Sequence, residues 1–398
     1  MATTGEVERV LTGRQAPDAP LRVALVHDWL TGMRGGERCL EVFCELFPSA
    51  PLYTLLHVPG SVSPVIENRR IVTSFVQRLP QAETRYRSYL PLFPMAARSF
   101  DLSGYDLIVS TSHCVAKGVR TPPGALHVCY CFTPMRYVWD LYDDYAEGAG
   151  GVRRLALAAL APALRSWDRR TGGVHHFVGI SHHIADRIRR VYGRDADVIH
   201  PPVDAARFTP RDRAGDFYLV VSALVPYKRV DLAVAAATRL GRRLLVVGTG
   251  TDTAKLRAMA GPTVEFLGWR SDEDVARLYE RCRAVLFTAV EDYGIVPLEA
   301  AAAGRPTIAL AQGGALETMV GLGHEPPGEA PTAYFFERQT VDDLADAMVR
   351  FEAVEHRFDP KALRARAERF DRSHFVHAVR QYLDQRVAEW RARRVAAC

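Results

Sequence analysis

Short apolar runs separated by polar, glycine-containing turns recur along this chain, and they predict a protein built from parallel β-sheets. Runs of this length bounded by turns are typical of buried strands. The second half of the chain places helical segments between most of them, which is typical of a parallel sheet with helices on both faces. The runs are Tyr218–Val221, Leu244–Val247, Val264–Leu267, Ala284–Phe287, Thr307–Leu310 and Ala333–Phe335.

The first half repeats the pattern less regularly. Apolar runs at Leu21–Val26, at 106–110 and at Leu126–Cys131 predict strands, and Ser181 is the predicted N-cap of a helix over His182–Tyr192. The proline-stiffened stretch His200–Asp204 is the expected domain boundary. The chain therefore divides into a flexible leader (1–20), two α/β, Rossmann-like domains (21–203 and 204–372), and a C-terminal helix (373–398).

The stretch from Thr288 to Gly314 carries the first candidate chemistry. Glu291 follows a predicted strand, and Pro297 fits the first position of the next helix, whose first turn would contain Glu299. A helix start presents backbone N–H groups that bind anions, phosphate above all, and ionised carboxylates accept hydrogen bonds from sugar hydroxyls. The pattern therefore indicates a nucleotide-sugar site. The residues expected at this helix start are Gly294, Ile295 and Val296.

A second candidate anion site follows the first predicted strand. Gly35 and Gly36 precede a helix predicted over Cys39–Phe47, and they would let the backbone approach a ligand at the helix N-terminus. The alternative is a simple chain reversal. The spacing is not G-x-G-x-x-G, which disfavours a dinucleotide site.

Composition narrows the class of protein. The 398 residues carry 51 basic and 46 acidic side chains, a balance that gives no support for a nucleic-acid partner. Seven cysteines without a C-x2-C pair disfavour a disulfide framework and a zinc ribbon, so a reducing compartment is expected. Because no apolar segment is long enough for a signal peptide or a membrane span, we expect a cytoplasmic protein.

The region from Gly151 to Arg194 is strongly basic, with nine arginines. Its amphipathic stretch over 152–170 could rest on the inner membrane surface, although a solvated helix covering the core is the other interpretation. Pro162 should kink or divide that helix. The paired histidines at 175–176 and 182–183 do not indicate a metal site, because adjacent side chains diverge, and no metal is expected.

The spacing of Glu291 and Glu299 resembles the E-x7-E motif of retaining glycosyltransferases of family 4, which have the GT-B fold. That resemblance implies two Rossmann-like domains facing across a cleft, with the acceptor on the side of 21–203 and the nucleotide sugar bound mainly by 204–372. It also implies that the C-terminal helix (373–398) crosses back to the first domain. It implies that Glu291 contacts the donor sugar and Glu299 the ribose. The segment Ser222–Asp231 resembles the family's G-R-L-V-x-x-K segment, which implies that Lys228 neutralises the donor diphosphate, beside the loop of Gly35 and Gly36. Ala223 stands where the family has an arginine, and Arg229 is a candidate for that charge, or simply faces solvent.

The stretch from Phe132 to Asp140 resembles a signature of a bacterial mannosyltransferase-like branch of that family. It follows a predicted strand, where open α/β sheets place ligands. Arg136 and Asp140 are candidates for contact with the acceptor or the sugar, unless they only pair with each other. Phe132 stands where that branch has a histidine associated with the donor sugar.

The resemblance implies transfer of a hexosyl group from a nucleoside diphosphate sugar to a glycan or lipid-linked acceptor. It favours GDP-mannose as the donor and implies no obligatory metal or other cofactor. Two alternatives stay open. One is a GT-B nucleotide-sugar epimerase, and the other is a sugar-nucleotide-binding subunit that has lost catalysis, which the residues at positions 132 and 223 favour.

Overall fold

The computed structural model of the chain describes residues 20–139, 151–170, 173–211 and 214–396. Its first sheet has seven strands in the order β3-β2-β1-β4-β5-β6-β7, and the pairings β1–β2, β1–β4 and β2–β3 are parallel. The strands are β1 (Val23–His27), β2 (Leu52–Thr54), β3 (Ile71–Thr73), β4 (Leu107–Ser112), β5 (Leu126–Cys131), β6 (His176–Gly179) and β7 (Ala196–Val198).

The second sheet has six strands in the order β10-β9-β8-β11-β12-β13, and all of its pairings are parallel. The order reverses between β8 and β11, which is where open parallel sheets bind ligands. The strands are β8 (Tyr218–Val221), β9 (Leu244–Val247), β10 (Val264–Gly268), β11 (Ala284–Phe287), β12 (Thr307–Leu310) and β13 (Ala333–Phe336).

Helices connect most of the strands. In the first half they are α1 (Gly35–Leu46), α2 (Pro64–Glu67), α3 (Ala82–Arg85), α4 (Phe93–Arg98), α5 (Gly151–Arg169) and α6 (His182–Tyr192). In the second half they are α7 (Val230–Leu240), α8 (Thr253–Met259), α9 (Asp272–Arg281), α10 (Ile295–Ala302), α11 (Ala315–Thr318), α12 (Val341–Val354), α13 (Pro360–Glu368) and α14 (Arg372–Ala396).

The chain therefore contains two parallel-sheet α/β domains, as predicted. Residue contacts separate it into two compact units, one of residues 1–130, 170–177 and 379–398, and the other of residues 131–169 and 178–378. The domain boundaries expected from the sequence stay predictions.

Local sequence signals explain most of the elements. Strands such as β1 and β11 are apolar throughout or nearly so because both faces of a parallel sheet are covered, and all of their residues are buried. The predicted cap at Ser181 is confirmed, since its hydroxyl accepts a hydrogen bond from the backbone N–H of Ile184. Ser271 and Thr340 cap α9 and α12 in the same way.

Two helix predictions for the first half of the chain differ from the structure. The helix α1 begins at Gly35 rather than near Cys39, because Glu37 accepts a hydrogen bond from the backbone N–H of Arg34 and fixes the first turn. Gly35 and Gly36 are thus helical residues at the helix start and not part of a preceding loop. Pro162 does not divide α5, which is one helix from Gly151 to Arg169.

The first unit contains a buried polar cluster that the sequence did not reveal, centred on Asp28 after β1. Its carboxylate accepts hydrogen bonds from four consecutive backbone N–H groups, those of residues 113–116, at 2.6–2.9 Å. Nδ1 of His113 lies 3.2 Å from the same carboxylate, and Lys117 is also fully buried. Asp28 therefore holds the turn after β4 against the end of β1.

Replacing Asp28 with Asn should destabilise the protein, since one amide oxygen cannot accept the hydrogen bonds of a carboxylate. Burial raises the pKa of Asp28, but His113, His27, Lys117 and the backbone outweigh that effect and lower it. The carboxylate therefore stabilises the fold above its unfolded pKa of about 4, and this contribution disappears as the pH falls through the lower folded pKa. At pH 7 the unfolding temperature should drop by several degrees, consistent with a loss of roughly 2–4 kcal/mol.

Scanning calorimetry between pH 3 and pH 7 measures both effects. The exposed Asp101, changed to Asn, is the matched control in the same unit. An Asp28→Asn variant that unfolds at the wild-type temperature at pH 7 would contradict the assignment.

Candidate nucleotide-sugar site

The loop after β11 is held by backbone-to-backbone packing. Glu291 forms an isolated parallel bridge with Gly313, and the backbone N–H of Gly314 donates to the carbonyl of Glu291 at 2.8 Å. A Cβ atom at Gly314 would collide with the backbone of Tyr293, and one at Gly313 with that of Glu291. Only glycines let these two loops come this close, so the glycine pair fixes the backbone position of Glu291.

The helix α10 starts next to this loop, slightly earlier than predicted. Gly294 is its N-cap with φ of 88°, a left-handed conformation that favours glycine, and Ile295 is the first helical residue. Pro297 is therefore the third helical residue, and Glu299 is the fifth and lies beyond the first turn. The proline is tolerated there because the first four N–H groups of a helix have no intrahelical partner.

Lys228 and Glu291, 63 residues apart, meet in the structure as an ion pair. The turn carrying Lys228 is tied to the end of β11, because the hydroxyl of Thr288 donates to the carbonyls of Lys228 and Arg229 at 3.1 and 2.8 Å. Two residues selected from different sequence segments are thus brought into contact beside the start of α10.

Arg229 is held elsewhere. Its guanidinium makes two hydrogen bonds of 3.1 Å to the carboxylate of Asp231 and one of 3.3 Å to Gln339. Its backbone has φ of 50°, which costs a non-glycine residue roughly 1–2 kcal/mol. The bidentate pairing holds the Arg229 side chain against Asp231 in its own turn. The Arg229 side chain therefore does not simply face solvent.

Glu299 accepts a hydrogen bond of 3.0 Å from the hydroxyl of Tyr279 on α9. Tyr279 is fully buried, and burial together with the charge of Glu299 raises its pKa, so the hydroxyl stays protonated and donates. This bond orients the carboxylate that the E-x7-E resemblance assigns to the ribose.

Asp292 is a residue of this site that sequence reasoning missed. Its carboxylate pairs with Arg136 and, at 2.7 Å, with Nη1 of Arg187 on α6. Burial would raise the pKa of Asp292, but the two guanidinium groups outweigh that and lower it. The partners lie 156 and 105 residues away, so only its place directly after Glu291 could have drawn attention to it.

Glu317 is a second acidic residue with a defined role. Its two oxygens accept hydrogen bonds of 2.8 Å from the backbone N–H groups of His182 and His183 at the start of α6. Nε2 of His200 lies 3.2 Å from the same carboxylate. The paired histidines therefore lie at a helix start that is capped by a carboxylate.

The remaining predicted residues divide into two groups. Gly35 and Gly36 lie at the start of α1 in the first unit, while Gly294, Ile295 and Val296 lie at the start of α10 in the second. Asp140 falls outside the described residues, so its pairing with Arg136 is untested. Among the described residues, no group of three or more His, Cys, Asp or Glu side chains could hold a metal ion. No described helix is long and apolar enough to cross a membrane.

The second half of the chain matches a known protein family. Residues 206–369 match the model of the glycosyl transferases group 1 family, and this segment contains Lys228, Glu291 and Glu299. The match covers less than half of the chain.

Two curated relatives are glycosyltransferases by name. D-inositol 3-phosphate glycosyltransferase of Mycobacteroides abscessus is 34% identical over 156 residues, covering 33% of this chain and 35% of that protein. GDP-mannose-dependent alpha-(1-6)-phosphatidylinositol monomannoside mannosyltransferase of Mycobacterium tuberculosis is 33% identical over 224 residues, covering 48% and 56%. The chain thus spans from about a third to just over half of the length of these relatives.

The fold extends further than the sequence similarity. The structure of HepE from Anabaena in complex with UDP matches 92% of this chain and 100% of that one, with a TM-score of 0.64 and 16% identity. At this identity the match establishes the GT-B fold class alone.

The packing of the glycine pair predicts that Gly314→Ala will disturb the site. The added methyl group would collide with the backbone of Tyr293, which must shift and carry Glu291 and Asp292 with it. Thermal unfolding should occur several degrees lower, since strain of this kind costs roughly 1–3 kcal/mol. Gly104→Ala is the control, because a Cβ atom there meets nothing within 4 Å. Equal unfolding temperatures for both variants would refute the packing argument.

Proposed function

We propose that this protein transfers a hexosyl group from a nucleoside diphosphate sugar to a glycan or lipid-linked acceptor, with retention of configuration. The observation that carries the proposal is the pair of Lys228 and Glu291 beside the start of α10, after β11. The donor joins an anionic diphosphate to a hydroxyl-rich sugar. A cation, a carboxylate and a helix start in one place suit both parts of such a ligand.

Each residue has a role in the proposed reaction. Lys228 and the start of α10 stabilise the charge that grows on the leaving diphosphate, which is the interaction expected to contribute most to catalysis. Glu291 orients the donor sugar, and Glu299 accepts hydrogen bonds from the ribose. The acceptor oxygen attacks the anomeric carbon from the face that the diphosphate leaves, and a phosphate oxygen takes its proton.

The proposed donor is GDP-mannose. This choice is supported by the resemblance to the mannosyltransferase-like branch and by the name of the M. tuberculosis relative. HepE, in contrast, was solved with UDP, so a uridine nucleotide is the competing donor. The match to the glycosyl transferases group 1 model supports transfer over epimerisation.

One alternative retains a specific observation in its favour. Ala223 and Phe132 replace an arginine and a histidine of the resembling families, which favours a sugar-nucleotide-binding subunit without catalysis. Such a protein would bind the donor and leave it intact.

Contact with a membrane through residues 152–170 stays a prediction. In the described part of α5, Ala161 and Leu164 are buried, while Leu160 is 37% exposed. Arg165 and Arg169 lie against the ring of Trp139, at 5.4 and 4.8 Å from its centroid. Leu164 and Ala161 therefore pack against the protein, which favours the interpretation of α5 as a helix that covers the core.

A thermal-shift screen of nucleoside diphosphates and their sugars, followed by donor turnover with a panel of acceptors, tests the proposal. We expect selective stabilisation by GDP and GDP-mannose, because a ligand that binds the folded state raises its unfolding temperature. Transfer to an acceptor supports the enzyme. Binding without transfer or hydrolysis for several donors supports the binding subunit, and turnover of donor without any acceptor supports the epimerase.

Replacing Glu299 with Ala should weaken nucleoside diphosphate binding roughly tenfold, because a charged hydrogen bond to the ribose is lost. The loss of the Tyr279 contact is a separate effect of this substitution. Tyr279→Phe isolates it, since this variant keeps the carboxylate and should bind within about threefold of wild type. Titration calorimetry measures both. Equal affinity of Glu299→Ala and wild type would rule out the ribose assignment.

A further inference from the structure

The proposed donor site lacks one positive charge within its own turn. Lys228 is present, but Ala223 stands where the resembling family has an arginine, and Arg229 is held by Asp231 and Gln339. A nucleoside diphosphate carries at least two negative charges, and arginine binds phosphate oxygens in a bidentate manner. The second cation must therefore come from another part of the chain.

Arg136 is in the right place to provide it. It pairs with Asp292, the residue directly after Glu291, which itself holds Lys228. Burial would lower the pKa of Arg136, but Asp292, Tyr227 and Glu291 outweigh it, so the guanidinium also lies within electrostatic reach of the Lys228 turn. The segment after β5 thus brings an arginine to the loop after β11.

The two arginines on Asp292 are held differently. Arg187 donates to Oδ1 of Asp292 at 2.7 Å, to the hydroxyl of Thr133 at 3.1 Å and to the ring of His183 at 3.1 Å. Its side chain is only 11% exposed, whereas that of Arg136 is 32% exposed. Burial and the charge of Arg187 lower the pKa of His183, so the ring stays neutral and accepts this bond. Arg187 anchors the carboxylate, and Arg136 is the partner that an incoming anion can reach.

We propose that Arg136 supplies the second positive charge to the donor diphosphate and that Asp292 is the counterion that Arg136 exchanges for it. This inference rests on the proposed function. Lys228, Arg136 and Arg187 face two carboxylates, Glu291 and Asp292, so the cluster carries one excess positive charge before the ligand binds. The diphosphate competes with Asp292 for Arg136, and this competition gives the two partners opposite effects on affinity.

The first experiment measures binding of inorganic pyrophosphate and of GDP to the full chain by titration calorimetry. Arg136→Ala should weaken pyrophosphate binding roughly 10- to 100-fold, the range for one charged hydrogen-bonding group. Arg136→Lys should recover part of the loss, because the charge remains without the planar fork. The matched control is Arg189→Ala, an exposed arginine on the same helix as Arg187, paired with Asp186 and Asp195. It should bind within about twofold of wild type.

The direction in which Asp292→Asn changes the affinity for pyrophosphate is the decisive result. Without the competing charge, Arg136 should bind pyrophosphate about threefold or more tightly, while a carboxylate that only supports the fold would give weaker binding and a lower unfolding temperature. Three results would each overturn the inference. They are wild-type affinity for pyrophosphate in Arg136→Ala, weaker binding in Asp292→Asn, and a loss of affinity in Arg229→Ala in place of Arg136→Ala. If Asp292→Asn does not fold, the alanine and lysine variants of Arg136 still decide it. If the variants change pyrophosphate binding as expected but the protein does not distinguish among nucleotides, the proposed function is contradicted and the inference about Arg136 is not.

Discussion

The contact between the backbone of Glu291 and the Gly313–Gly314 turn is the constraint on which the candidate site depends. It brings the loops after β11 and β12 together, at a separation that side chains would prevent. Glu291 and Asp292 are thereby fixed as neighbours beside a helix start. Each carboxylate pairs with a cation from a distant part of the chain, Glu291 with Lys228 and Asp292 with Arg136, so this contact places the anionic half of both ion pairs.

Burial determines how much these ion pairs contribute to stability. An exposed pair contributes little to stability, but a buried charge that loses its partner costs several kcal/mol. The Asp292 side chain is only 14% exposed, so its two arginines are needed to keep it ionised within the second unit. The same reasoning applies to Asp28 in the first unit, where backbone N–H groups take the place of arginines.

The fold was largely predictable because its signals are local. Strands of a parallel sheet are buried on both faces, so they appear in the sequence as uninterrupted apolar runs, as in Ala284–Phe287. Helix caps such as Ser181 depend on a few consecutive residues. The start of α1 was placed too late because Glu37, rather than a standard capping residue at position 34, fixes its first turn.

The site was less predictable because its contacts are not local. The family resemblance selected Glu291 from the E-x7-E spacing and Lys228 from a separate segment, and their pairing in the structure is consistent with a shared role. Nothing near Asp292 in sequence indicates its partners, Arg136 on the segment after β5 and Arg187 on α6. Nothing in the Lys228 turn indicates that Arg229 also reaches Gln339, 110 residues away. Such pairings depend on which loops the sheet order brings together.

A site whose cations are already paired with carboxylates has a definite consequence for ligand binding. An anion must displace a carboxylate, so part of its attraction to the cation is offset by the ion pair that it breaks. In return, the long arginine side chain is already ordered, and less conformational entropy is lost on binding. Such a site favours a ligand that binds several of its side chains at once over a simple anion that binds only one cation. A nucleoside diphosphate sugar, with a diphosphate, a ribose and a hexose, has the parts to engage Lys228, Glu299 and Glu291 at once.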